Sequence, residues 1–465
     1  MTMKYRKLWQ LVVASIRGEV HDYTRGSIRR AIVLLAIPMM LEMAMESVFA
    51  LVDTFFVGRI GVEALTTVGL TEVMMTLVYS IGVGLSLAPM ALIARFVGQG
   101  DTALASRAAG QSIILTLLIS TLIAVPAFIY APDLLRLMGA SESVIDYGLG
   151  YTRIMFAGNG IIMLLFLLNG VFRGAGEAAT AMRVLWIANG INVLLDPLLI
   201  FGLGPIPGFG VEGAAMATTI GRGVGVTYQL YLLFSGRSLV RIAPTGWRID
   251  PAMQLRVLRI ASNGAFQYTI GSASWIFLAR VVATFGDAAV AGYTVAIRLI
   301  LFTLLPAWGL GNAAATFVGQ NLGAAQPQRA ARGVRQTLII TCIYLGTLSV
   351  GYYLLAGPLV QTFTQDATTA EYGISALKIF AVGYIFFGLG LIPVQAFNGA
   401  GDTATPTLLN FVCFWLLEIP LSYFLAVQLG YAVQGVASSV VAAEIVLATV
   451  ALLLFRRGRW KSKVI

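Results

Sequence analysis

The sequence predicts an all-α integral membrane protein, twelve transmembrane helices arranged as two parallel-repeat six-helix lobes. Three observations carry this expectation. Of 465 residues, 58% are hydrophobic and 11% charged, against roughly 45–50% apolar and about 25% charged in soluble domains. The mean hydropathy is +0.85. The apolar residues gather into stretches of the length a bilayer demands, about 20 residues, and short motifs of the first half return in order in the second. Such a composition excludes a cytosolic enzyme and a disordered scaffold. Nor does the net charge of +10 point to nucleic acid, because the Lys and Arg residues sit mostly in hydrophilic breaks and at the termini, which marks membrane orientation.

Twelve spans are read at 31–57, 62–92, 105–131, 144–170, 178–202, 211–234, 257–285, 288–316, 333–357, 370–396, 405–427 and 433–455. Residues 1–30 form a basic segment without the apolar core of a cleavable signal peptide. The first lobe is expected at 31–235, a basic linker at 236–256, the second lobe at 257–456 and a basic tail at 457–465. Arg25, Arg29 and Arg30, the pairs Arg95/Arg107 and Arg173/Arg183, the linker arginines, Arg329, Arg332 and Arg335, and the tail FRRGRWKSK fall on one side. By the positive-inside rule both termini are cytoplasmic, in a cell inner (plasma) membrane. Cys342 and Cys413 lie far apart in apolar stretches, so no disulfide framework is expected, and a lone His21 argues against zinc.

The repeat has three matched motifs. FVGQG at 96–100 returns as FVGQN at 317–321, FRGAGEAAT at 172–180 as FNGAGDTAT at 397–405, and VEG at 211–213 as VQG at 433–435. An even number of spans per repeat leaves both halves in the same orientation, the plan of secondary transporters. No Walker motif is present, so an ion gradient is the expected drive.

Ionisable residues within spans are functional candidates by default. Asp53 in LVDTFFVGR follows Glu42 and Glu46 by eleven and seven residues, which puts all three within about 40° of one helix face. In NGINVLLDPLLIFG, Asn192 and Asp196 share a face at i and i+4 beside Asn189, and Pro197 removes a backbone donor, freeing a carbonyl. With the Thr218 hydroxyl of the next span, this set suits a proton or a hard cation. The structural alternative is interhelical hydrogen bonding by protonated acids, pairing with an Arg, or a polar packing motif at a proline kink. Aligning the repeats sets Asp196 against Leu421, Asn192 against Leu417 and Thr218 against Val440. Packing needs are shared between the halves and this polar set is not, which favours function. In the second half Glu418 and Glu444 are intramembrane acids that Arg280 and Arg298 would neutralise if they serve structure.

At these residues the chain resembles the multidrug and toxic compound extrusion (MATE) transporters. The pattern is AIPMM…LVDTFFVGRIG, VGQG, FRGAGEAAT, NVLLDPLLIFG, GVEGAAMATTIG, FVGQNLGA and FNGAGDTATP, over essentially residues 30–460. The resemblance implies a V-shaped two-lobed antiporter that exports small organic cations and drugs in exchange for H+ or Na+; no other cofactor is expected, and the chain is expected to act as a monomer. It is most similar to the DinF-like branch. That likeness implies a coupling site on Asp53, Asn192, Asp196 and Thr218, with helix-1 bending at Pro38; the bend expected at Pro197 follows from its own ring. The NorM-like branch keeps acids in helices 7 and 10, where this chain offers neutral Gln267 and Gln395. Asn189, Glu42, Glu46 and Glu418 rank second as site residues. The competing readings are a lipid-linked oligosaccharide flippase, which needs a cation-lined cavity where the first half reads as acidic, and a major-facilitator transporter, whose basic 2–3 loop signature is absent. No nucleophile–base or metal constellation suggests an enzyme.

Overall fold

The computed structural model describes residues 2–18, 22–205, 207–242, 247–463 and 465, and every element among them is helical. His21 lies outside the described residues. Within the basic segment 1–30, TMKYRKLWQLVVASIR folds as helix α1 (Thr2–Arg17). The run lacks Gly and Pro and is rich in good helix formers, and it stops at Gly18, where φ is +68°.

The expected spans follow as α2 (Ile28–Gly58), α3 (Val62–Gln99), α4 (Thr102–Ile129), α6 (Glu142–Ala157) with α7 (Asn159–Ala175), α8 (Ala178–Phe201) and α9 (Val211–Ser235) in the first half. A short α5 (Ala131–Leu137) precedes α6. The second half supplies α10 (Pro251–Ala283), α11 (Asp287–Gly323), α12 (Pro327–Gln361), α13 (Ala367–Gly399), a rod over residues 404–428 and α16 (Ala432–Arg457). Ten of these stretches are long and apolar enough to cross a membrane. α9 and α10 have the length, at 25 and 33 residues, but carry more polar residues.

Two spans depart from a regular helix. The fourth breaks at Gly158, where a Cβ would lie 2.9 Å from the Thr219 hydroxyl and 3.1 Å from the Ile154 carbonyl. The eleventh runs α14 (Ala404–Asn410), a π-helical stretch Phe411–Glu418, α15 (Ile419–Tyr423) and a second π turn Phe424–Gln428. Pro420 has no N–H to give and its ring crowds the carbonyl four residues back, so widening the preceding turns relieves both.

The chain divides into two compact units. One holds Phe266–Ile465 with most of the chain before Met40, and the other holds Leu41–Ala265. The divisions therefore fall inside α2, just past Pro38, and inside α10. The described part of the linker folds onto α4 and α8. Gln111 donates to the Arg248 carbonyl at 2.9 Å and accepts from the Asp250 N–H at 3.1 Å. Arg107 pairs with Asp250 at 2.9 Å, and Glu177 accepts from the Ser238 hydroxyl and the Leu239 N–H.

Both units use close crossings of small residues, the device that lets helices approach where no hydrophobic effect drives them together. In the first half Gly170 and Gly174 of α7 rest on the carbonyls of Ser86 and Met90 in α3. In the second, Gly399 of α13 rests on Ala315 of α11. A Cβ on Gly170 would fall 2.3 Å from the Ser86 carbonyl oxygen, whereas one on Gly351 of α12 would meet open space. Gly170→Ala is expected to destabilise the protein by about 1–3 kcal/mol through overpacking, and Gly351→Ala to leave it unchanged or firmer. Thermal unfolding of the two variants in one detergent checks this; equal melting points would show that the crossing is loose.

Candidate ion and cargo sites

In the unit holding Leu41–Ala265, α8 presents Asn189, Asn192 and Asp196 along one face, as their spacing requires. Asn192 Nδ2 donates to the Thr218 hydroxyl of α9 at 3.1 Å. Asp196 is fully buried, and neither of its carboxylate oxygens has a partner; the Asn192 Oδ1 is likewise without one. Asp53 of α2, half-buried, is close enough that its charge bears on Asp196. The structure thus joins Asn192 to Thr218 directly, keeps Asp196 on the same face of α8 and places Asp53 within electrostatic reach of it.

The three α2 acids meet different surroundings although they share a face. Glu42 is fully buried and paired with Arg173 of α7, whose Nε donates to Oε2 at 3.2 Å while Nη2 donates to Oε1. Glu46 accepts from Asn189 Nδ2 at 3.2 Å and lies 4.0 Å from Nη2 of Arg222 in α9. Asp53 has no ion pair among the described residues, and Arg222 is the cation whose field offsets it.

Arg173 and Arg222 correct the expectation of a purely acidic first half. Arg173, read as flanking a loop, is buried inside α7, because that helix continues to Ala175 and past the expected span end. Arg222 is 8% exposed, stacks over Phe49 and Tyr79 with its Cζ 5.9 and 5.8 Å from the ring centroids, and has one guanidinium nitrogen, Nη1, without a partner. Tyr79 in turn donates to Glu72 at 3.3 Å. Neither Arg222 nor Glu72 was singled out from the sequence. Both lay inside expected spans, and Arg222 follows Thr218 by one helical turn, so the rule applied to Asp53 would have found them.

The second half gathers its polar residues around a cavity of about 260 Å³. Gln267, Tyr268 and Trp275 of α10, Trp308 of α11, Gln395 of α13 and Glu444 of α16 stand on its wall. Glu418, at the end of the π-helical stretch, is buried nearby, and the charge of Glu444 bears on it. Among the described residues no ion pair joins either acid to Arg280 or Arg298, the pairing that a structural role would have used. Pro38 and Pro197 stand inside the continuous helices α2 and α8.

The MatE family profile matches this chain twice, at residues 38–198 and 264–424, which matches the internal repeat. A probable multidrug resistance protein NorM from Thermotoga maritima is 26% identical over 446 residues, covering 94% of each chain. A FAD transporter from Shewanella oneidensis is 26% identical over 416 residues, covering 90% of this chain and 91% of its own. A solved multidrug resistance MATE family transporter in an outward-facing conformation superposes with a TM-score of 0.89 at 27% identity, covering 95% of this chain and 98% of that one.

The Glu42–Arg173 pair makes a direct test of the site's electrostatics. Removing one member of a buried pair leaves an uncompensated charge worth about 3–5 kcal/mol, whereas replacing both by apolar or neutral groups is nearly neutral. Arg173→Leu is therefore expected to lower the melting temperature sharply, and the double variant Glu42→Gln/Arg173→Leu to recover most of the loss. Equal melting points for single and double variants would place the pair in contact with water.

Proposed function

The chain belongs to the MatE family of transporters, and from that premise we propose that it is a multidrug antiporter that exports small organic cations and drugs in exchange for H+ or Na+. On this reading it works as a monomer in the inner membrane with both termini cytoplasmic and couples through the first-half carboxylates in the DinF-like manner. The observation that carries the reading is the set of partnerless oxygens on Asp196 and Asn192, beside the Thr218 hydroxyl. A buried anion left unpaired costs several kcal/mol. Three oxygens facing no donor fit a proton or a hard cation, which takes oxygen ligands from carboxylates, amides and hydroxyls.

In the cycle, the ion neutralises Asp196 and removes its repulsion of Asp53. Asn192 and Thr218, held by their mutual hydrogen bond, keep the oxygens in place. Glu42 and Glu46 tie the second half of α2 to α7, α8 and α9, while Met39, one residue past Pro38, lies against Gly309 of α11. A change in charge at Asp53 thus acts on a helix whose ends are anchored separately, with Pro38, which cannot complete the hydrogen-bond ladder, as its weakest point. Pro197 serves α8 in the same way.

A second reading, an anionic cargo met by Arg222, is favoured by its partnerless Nη1 and by the relative named as a FAD transporter.

Efflux of a fluorescent organic cation from cells, under separately imposed proton and sodium gradients, tests the first reading. The wild type is expected to respond to one gradient, and Asp196→Asn or Asp53→Asn to lose at least tenfold of that response. Undiminished coupling in both variants would overturn the first-half site, and no cation efflux under either gradient, with export of a nucleotide instead, would favour the second reading.

A further inference from the structure

Aligning Val211-Glu212-Gly213 with Val433-Gln434-Gly435 sets Arg222 of α9 against Glu444 of α16, each eleven residues after its valine. Equivalent helix positions in the two halves thus carry opposite charges. In the first half the position supplies its own cation: Arg222 lies over the rings of Phe49 and Tyr79 and faces Glu46. In the second half the rings and the carboxylate are present and the cation is not. Glu444 stands in the wall of the 260 Å³ cavity with Trp275, Trp308 and Tyr268, and Tyr268 and Trp308 form a tilted pair with centroids 5.5 Å apart. Among the described residues neither Glu444 nor Glu418 behind it joins an ion pair, and each acts on the other as a like charge. A third group also awaits a ligand. Gln267, 4% exposed, lines the same cavity with its Oε1 unpartnered.

We propose that this second-half cavity binds a flat, monovalent aromatic cation, its charge at Glu444, its ring against Trp275 and Trp308, and a donor group on Gln267. The ligand takes the place that the Arg222 guanidinium fills in the other repeat. Charge selects it because a carboxylate in a membrane-spanning unit without a cation of its own is satisfied by one that the ligand brings. Shape selects it because ring faces attract a desolvated cation. The volume, just below the roughly 300–1,000 Å³ of drug-sized pockets, limits it to a small fused-ring system. Gln395, 1% exposed, is already held by Asn398, which donates to its Oε1 at 3.0 Å, so it shapes the wall rather than meeting the charge.

The inference deepens the export reading and rests on it only for the cargo's being moved; binding itself needs no gradient. The test is therefore equilibrium binding of ethidium to the purified full chain in detergent, followed by fluorescence anisotropy, beside the uncharged 9-anthracenemethanol. Glu444→Gln is expected to weaken ethidium at least tenfold and to leave the neutral ring unaffected. Glu444→Asp, which keeps the charge, should restore most of the affinity, and Gly351→Ala, whose added Cβ meets open space on α12, should stay within about twofold of the wild type. Comparable melting temperatures establish that the variants fold; if Glu444→Gln does not, Trp308→Leu and Gln267→Leu are read instead, each expected to weaken ethidium severalfold. Unchanged ethidium binding in the folded variants would overturn the proposal, as would loss confined to Asp196→Asn, which would put the cation in the other unit. A wild type that binds ethidium through Glu444 but exports none would leave this site standing and remove the coupled-export reading.

Discussion

The buried contact between Glu42 and Arg173 shows the constraint under which the whole interior is built. Glu42 has no access to water, so its charge is met from within the protein or not at all. Arg173 meets it with two donors, and the pair fastens the second half of α2 to α7. Once that cation is used, Arg222 is the remaining one in the site, and it serves Glu46, Glu72, Tyr79 and Asp53 together. Charge is therefore rationed along α2: its first acid is paired, its second is shared, and its third is left with a distant field. Asp196, on which the charge of Asp53 acts as a repulsion, stands at the end of that series. The proposed uptake of a cation or a proton at Asp196 rests on this shortage of positive charge.

The internal repeat separates what the scaffold needs from what the sites need. Gly174 and Gly399 occupy equivalent places in the matched GAG motifs, and both sit against backbone of the neighbouring helix. That contact is a packing requirement, and both halves keep it. The polar positions behave in the opposite way: Asp196 faces Leu421 in the alignment, Thr218 faces Val440, and Arg222 faces Glu444. Helix positions that tolerate an apolar residue in one copy and a charge in the other are not holding the fold together. Reversal of charge at the Arg222/Glu444 position goes further than loss, because it leaves one half with an internal cation and the other with an empty requirement for one.

Much of this was legible beforehand because membrane-spanning helices are limited by length and apolarity, and because the i, i+4 spacing of Asn192 and Asp196 admits only one face. Arg173 was misread for a related reason. Counting apolar residues ends a span at its first polar cluster, whereas α7 carries its hydrogen-bond ladder through GVFRGA to Ala175. The break at Gly158 and the π turns around Pro420 have no periodic signature; both arise from what a neighbouring side chain or a proline ring does to one turn. Arg222 and Glu72 were visible as ionisable residues within spans, and attention to carboxylate motifs passed over them. The cavity around Glu444 depends on five helices distant in sequence, so Gln267 and Gln395, marked as polar residues of helices 7 and 10, and Glu444, marked as an intramembrane acid, hinted at it only one by one.

If the coupling ion is met at Asp196 and the cargo cation at Glu444, the two never compete for one carboxylate. Exchange then cannot work by displacement, in which one ion evicts another from a shared site. It has to work through the conformational equilibrium, each ligand favouring a different state, because a ligand with equal affinity for both states shifts nothing. The energies allow this. Moving a two-state population from mostly one form to mostly the other takes about 5.5 kcal/mol, and an unpaired buried anion costs several kcal/mol. One carboxylate gaining or losing its cation thus supplies a large part of the shift, and a second, in the other repeat, supplies the rest. The asymmetry between the halves gives the two ligands separate places from which to bias a single equilibrium.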